Sequence, residues 1–256
     1  MMSQNVDVFS EATPEVKLRT KKMMMWLIIF AVVMLFAGIT SALMVLKGKI
    51  MWMHVTVSGW FWWSLVWVIL SSIPMYLAVK LLKDGKTKAS MLMLAVTFLL
   101  GISFTITQNA GWTELSEKGM GYTISKTPEG LDAYHWNPLG KFTGAYGEDY
   151  WIESRGKALV QWNGEFYDAD DVNHEKPKTA QVMSTFNASG ALISVLVYLH
   201  IIHLALGLIY LLININRLRI GKLSASNYMS LHANGMYWHF MGILWVYLFL
   251  FVFFIY

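Results

Sequence analysis

Residues 189–213 read SGALISVLVYLHIIHLALGLIYLLI, an unbroken apolar run holding two histidines and no charged residue. A helix that crosses a hydrocarbon core needs about 20 apolar residues, and this run supplies them. On such a helix His200 and His203 lie roughly one turn apart on one side, and Gly207 continues the stripe. Four further runs are similarly apolar, with Lys80 near the end of the second as their one charged residue: Met23–Leu46, Val55–Leu82, Ala89–Ala110 and Ala233–Tyr256. They are apolar on every face, whereas strands of a membrane barrel are short and alternating, so they predict helices. With 56% hydrophobic and 14% charged residues, the composition excludes an ordinary soluble domain. The expected fold is an all-α, polytopic membrane bundle of five transmembrane helices with a small extracytoplasmic insertion containing a β-hairpin.

The charges predict the orientation. Lys17, Arg19, Lys21 and Lys22 precede the first run, Lys80, Lys83, Lys86 and Lys88 surround the second link, and Arg217, Arg219 and Lys222 lie in the fourth. The first link has only Lys47 and Lys49, and the long third link is acidic. The positive-inside rule then puts the amino terminus and links two and four in the cytoplasm, and the carboxyl terminus outside. The expected divisions are a cytoplasmic tail 1–22, three spans within 23–110, an extracytoplasmic insertion 111–186, and two spans within 187–256. The first run is too long for the core of a secretory signal and is read as a span. A pI of about 9.1 reflects this topology and implies no nucleic-acid partner. With no cysteine there is neither a disulfide framework nor a thiolate site. No Asp or Glu falls inside any run, which argues against a pump or an ion-coupled transporter acting alone.

Along the chain, Gly38 with Ala37 and Ala42 offers a small-residue face for close helix packing. Trp60, Phe61, Trp62, Trp63 and Trp67 suggest an aromatic belt at the outer interface. Pro74 should kink the second helix, with Ser71 or Ser72 able to take a freed carbonyl. Lys83-Asp84-Gly85-Lys86 forces a tight antiparallel hairpin. In the insertion, Asn163-Gly164 between Ala158–Trp162 and Glu165–Tyr167 is a hairpin signal, and Tyr134, Trp136, Tyr146, Tyr150 and Trp151 can supply a small core. Asp168, Asp170, Asp171, His174 and Glu175 invite a metal reading, but Val172 and Asn173 stand where a calcium loop needs an oxygen ligand and a glycine, so a solvated acidic loop is preferred.

Four histidines, His200, His203, His232 and His239, belong to the last two runs. Because the helices run antiparallel, His239 can meet the His200 and His203 face. Three uses stand side by side: heme b ligation from two helices, for instance by His203 with His239; a metal site, although a hard or catalytic ion would usually also need a nearby carboxylate or thiolate; and interhelical hydrogen bonding among His, Tyr, Ser and Trp groups with no cofactor.

Taken in order, Ser71–Ser72 before the Asp84-Gly85 turn, Gln108 near the end of span three, His200-x-x-His203-x-x-x-Gly207, and Tyr237-Trp238-His239-Phe240 followed by Trp245 resemble subunit III of heme-copper terminal oxidases, over all five spans. The resemblance implies the last five of that family's seven helices, with the third link as an insertion. It implies a subunit of a bacterial respiratory oxidase with no heme or copper of its own, those being held by partner subunits. Its partners would be oxidase subunit I, other oxidase subunits, membrane phospholipid, and a larger respiratory assembly through 111–186. Its role would be assembly, lipid binding and support of proton uptake, with structural histidines and no catalytic residue in this chain. The family's membrane acids fall at Val32, Gly242 and Gly111, whereas Glu114 matches one. The alternative is a heme b-binding anchor that passes electrons to or from quinone.

Overall fold

The computed structural model describes residues 13–47, 51–117, 124–127, 130–133, 145–148, 150–185 and 187–255. Tyr134, Trp136 and residues 1–12 of the tail lie outside them.

Helix α1 spans Pro14–Lys47, opening on a proline whose missing N–H costs nothing at a first helical position. Residues 14–22, read above as tail, are thus its first turns. At 1.5 Å per residue the helix is roughly 50 Å long, so its basic start extends beyond a hydrocarbon core of about 30 Å. Strand β1 follows at Trp52–Val55. Helix α2, Gly59–Lys83, starts at Ser58, whose hydroxyl accepts the Trp60 N–H at 3.3 Å. The second run therefore loses its first residues to a strand and a cap, because Val55 pairs with Tyr150. Gly85, at φ +77°, makes the turn into α3, Thr87–Glu117. The insertion ends with α4, Thr179–Thr185, and after it come α5, Asn187–Arg219, and α6, Met229–Leu250, which runs on as one π-helical turn, Phe251–Ile255. Five stretches are long and apolar enough to cross a membrane: Arg19–Lys47, Gly59–Lys83, Thr87–Glu114, Val195–Arg219 and Met229–Phe253. The chain is a mostly helical multi-pass membrane protein.

Helices α2, α3, α5 and α6 form a ring, each packed on its neighbours, and α1 lies across α5 and α6. The α2–α3 hairpin is the tightest pair, pinned by Ser90 donating to the Ala78 carbonyl at 2.8 Å. Helix α1 turns Ile29, Val32, Phe36, Thr40 and Leu43 inward at three- and four-residue spacing. Gly38, Ala37 and Ala42 face the other way, and a Cβ on Gly38 would meet nothing within 4 Å, so the expected small-residue face meets no neighbour among the described residues. In the aromatic cluster Phe61 is fully buried while Trp60, Trp62 and Trp63 are exposed, the division an interfacial belt requires.

The sheet region joins the first and third links. Strand β1 pairs antiparallel with β4, Tyr150–Ser154, which pairs with β5, Lys157–Ala158. The hairpin of β6, Val160–Trp162, and β7, Glu165–Tyr167, turns on Asn163 and Gly164 at φ +48° and +75°, as two positive-φ turn positions demand. A further hairpin, β2–β3, spans Ile124–Thr127 and Gly130–Ala133. Direct pairing of the two links puts both at one end of the bundle, the parity five crossings require. Met51, Tyr150, Ile152, Leu159, Phe166 and Val182 form the core of this region.

Burial pushes the Tyr150 hydroxyl up to about 12, and the neighbouring Tyr146 adds to the shift. Tyr146 is raised for the same reason, and its hydroxyl donates to the Leu159 carbonyl at 2.9 Å. A folded-state value above the unfolded value of about 10 means that this stabilisation is complete below pH 10 and is lost as pH rises toward 12. Alkaline titration by tyrosinate absorbance should therefore show a late component that shrinks in Tyr150→Phe, leaving that of Tyr146. An unchanged titration in that variant would contradict the packing described.

Candidate functional site

Two tryptophans of α6 and two serines of α2 form matched rungs. Trp238 Nε1 donates to Ser71 Oγ at 3.0 Å, and Trp245 Nε1 donates to Ser64 Oγ at 3.2 Å. Both pairs are seven residues apart on antiparallel helices, so one register satisfies both indoles in a medium that offers no water. Ser71 passes its own proton to the Val68 carbonyl at 2.8 Å, and Ser64 to that of Phe61 at 2.7 Å. The carbonyl that Pro74 frees is that of Leu70, so the expected serine repair at the proline is not what Ser71 does. Ser72 is half-buried, one position round from this rung. Ser64 was not singled out in the sequence, although its spacing from Ser71 repeats that of the tryptophans.

His200 lies against the upper rung, 2% exposed, its ring 5.3 Å from Trp245 and 6.3 Å from Phe104. His203 turns toward α1 instead, 5.8 Å from Phe36, with Nδ1 2.6 Å from the Leu199 carbonyl. Tyr237 donates to the His203 carbonyl at 2.9 Å. Its ring lies over Gly207, where a Cβ would stand 3.2 Å from Cε1, which is why the stripe ends in glycine. The stripe thus serves two neighbours, with His200 in the ring of four and His203 against α1.

His239 does not join them. At 100° per residue, Tyr237, Trp238, Met241 and Trp245 occupy one flank of α6, and His239 falls about 150° from its centre. It shares its side with Ile243, 69% exposed, and Leu250, 48% exposed. The expected meeting of His239 with the α5 histidines, and with it a His203–His239 ligand pair, is not formed. His232 sits at the other end of α6, its ring 6.3 Å from Tyr228.

At the sheet end, Glu114 on α3 accepts a short hydrogen bond from Ser58, the residue that caps α2. Gln108, 4% exposed, accepts from Trp112 Nε1 at 3.2 Å, and its Nε2 has no partner among the described residues. A Cβ on Gly111 would lie 2.9 Å from the Phe61 ring, so no side chain fits there. Val32 is buried in the bundle core. His54 on β1 and Glu153 on β4 pair at 2.7 Å, with Trp151 stacked on the imidazole. This cross-link between links one and three was not legible, since its partners stand 99 positions apart.

The opposite end holds a polar knot and a basic cavity. Asn214 is fully buried; its Nδ2 donates to the Tyr210 carbonyl at 3.1 Å and its Oδ1 accepts from Ser230 at 2.8 Å. Tyr210 reaches the Ser230 carbonyl at 3.0 Å, and Arg217 reaches its hydroxyl at 3.2 Å. Beside the knot, Lys21, Arg217 and Lys222 line a cavity of about 480 Å³ with Asn216, Asn227 and Ser230, floored by Ile213, Ile220 and Leu223. Its lining contains no acid. Such a set suits an anionic group with an apolar tail at a membrane surface.

In the acidic loop the three aspartates have local roles. Asp170 pairs with Lys157 at 2.7 Å and Asp168 with Lys178 at 3.4 Å. Asp171 accepts the Lys176 and Glu175 N–H groups, and the first of these bonds is the main cause of its lowered pKa. His174 stacks on Trp162. Among the described residues no three His, Cys, Asp or Glu side chains form a metal-binding group. Compared with protein-family models and with curated proteins, the sequence matches none.

Proposed function

We propose that the chain is an accessory, non-redox subunit III of a bacterial respiratory heme-copper oxidase, with its amino terminus in the cytoplasm and its carboxyl terminus outside the plasma membrane. The observation that carries this reading is the structural employment of the motif residues. Trp238 and Trp245 are anchored to Ser71 and Ser64, Tyr237 clamps His203 over Gly207, and His200 packs against Trp245. His239, the natural second ligand for a heme held between α5 and α6, lies on another flank. The membrane faces also suit a subunit. On α3, Leu92, Leu99 and Ile106 form an exposed stripe at seven-residue spacing, and α1 exposes Trp26, Phe30 and Val33. Such faces fit lipid or the apolar flank of a catalytic subunit I.

The test is purification of the tagged chain in mild detergent from its own membranes, and separately alone. The complex should contain a heme-copper chain and show heme on reduction with dithionite, and the folded subunit alone should be colourless. A stoichiometric heme b spectrum from the lone subunit would replace this reading with the quinone-linked anchor.

The basic cavity supports the lipid-binding part of the role. Charges near a membrane surface attract anionic lipid by about 1 kcal/mol each, so Arg217→Gln with Lys222→Gln should weaken retention by about 2 kcal/mol, a factor of roughly 30. Phospholipid bound to the purified protein, measured by mass spectrometry, should fall accordingly. Unchanged anionic lipid content would remove this support.

A further inference from the structure

Midway along the ring of four, a small cavity is bounded by Val68, Ser71, Gly101, His200, Trp238 and Gly242. About 10 Å³ of it is open to the centre of a water molecule, close to what one water needs. Most of the lining is apolar, and a wholly apolar hole of this size stays dry. His200 changes that expectation, because neither Nδ1 nor Nε2 has a hydrogen-bond partner among the described residues. An imidazole carries at least one N–H in every tautomer, so at least one donor is buried here with nothing among the described residues to receive it. Elsewhere on the wall, Ser71 Oγ gives its proton to Val68 and accepts that of Trp238, which leaves it one lone pair.

We infer that this cavity is a binding site for one structural water, which accepts a hydrogen bond from the His200 ring and donates one to Ser71 Oγ. Two polar partners meet the minimum for a buried water. The bridge would join α5 to α2, which stand diagonally in the ring and do not neighbour each other within it. Gly242 keeps the room open: a Cβ there would fit, 3.4 Å from Val68 Cγ2, but only by taking part of the space.

This predicts a reversal of sign. In the full chain, Gly242→Ala expels the water and strands His200, so Tm falls by about 2–4 °C. In a His200→Leu background the same substitution merely fills a void, and Tm rises by a similar amount. The same sign in both backgrounds would overturn the assignment. Solid-state NMR on the wild-type chain in lipid bilayers, with ¹⁵N-labelled histidine assigned through the backbone, decides the matter even if His200→Leu does not fold. Magnetisation should pass from water protons to the His200 ring nitrogens as it does to the partly exposed His54. Transfer to His54 without transfer to His200 would mean a dry cavity and refute the site.

Discussion

Trp245→Ala should destabilise the protein by about 3–5 kcal/mol, the range for truncating a fully packed aromatic ring. Trp245 is 2% exposed and touches three rings at once: His200 at 5.3 Å, Phe104 at 5.6 Å and Phe61 at 6.3 Å. Its removal leaves a cavity bordered by α2, α3 and α5 and takes away the indole donor to Ser64. Trp245→Phe keeps most of the volume and loses the donor with one ring of the indole, so it should cost less, about 1–2 kcal/mol. Titration with a denaturing detergent, followed by circular dichroism, separates the two variants. Equal effects would mean that the hydrogen bond, rather than the packed ring, holds α6 in place.

A second large loss is expected from Gly101→Val, about 3 kcal/mol, at a position where helix propensity alone would favour a side chain. A Cβ on Gly101 would stand 2.8 Å from Trp238 Cη2 and 2.9 Å from Leu208 Cδ2. Leu208 can rotate away. Trp238 is held by its bond to Ser71, so relief requires breaking that rung or moving α3 outward. Pairing the change with Leu208→Ala should recover part of the loss, a coupling of the kind neighbouring side chains show. Additive losses, measured by the same unfolding assay, would place Gly101 outside this contact.

The five crossings were legible because each run holds more than twenty consecutive residues without Asp, Glu, Lys or Arg, a signal that needs no knowledge of neighbours. The Asn163-Gly164 turn was legible for an equally local reason, the positive φ of both residues. Strand β1 was not. Trp52–Val55 merges with the apolar run that follows, and its partner, Tyr150–Ser154, lies far along the chain in the middle of the insertion. His239 shows the same limit on a helix. Its place in the motif says that it shares α6 with Trp238 and Trp245, but only the rotation of α6 about its axis says which neighbour it meets. The rungs occupy a middle ground. The heptad spacing of Ser64 and Ser71 and of Trp238 and Trp245 was in the sequence, and it became meaningful once α2 and α6 were known to be antiparallel neighbours.

The placement of α1 carries a consequence for biogenesis. This helix leaves the ribosome before α2 and α3, yet the helices that receive it, α5 and α6, follow them both. Roughly 180 residues separate Lys47 from Met229, which at 5–20 residues per second is on the order of 10–40 s of synthesis. Through most of that interval, until α5 emerges, neither helix that receives the stripe from Ile29 to Leu43 has been made, while α2 and α3 can close their hairpin at once. The newborn protein therefore passes through a state with a completed hairpin and an unpacked α1, open to capture by insertion factors or by another membrane chain until α5 and α6 arrive.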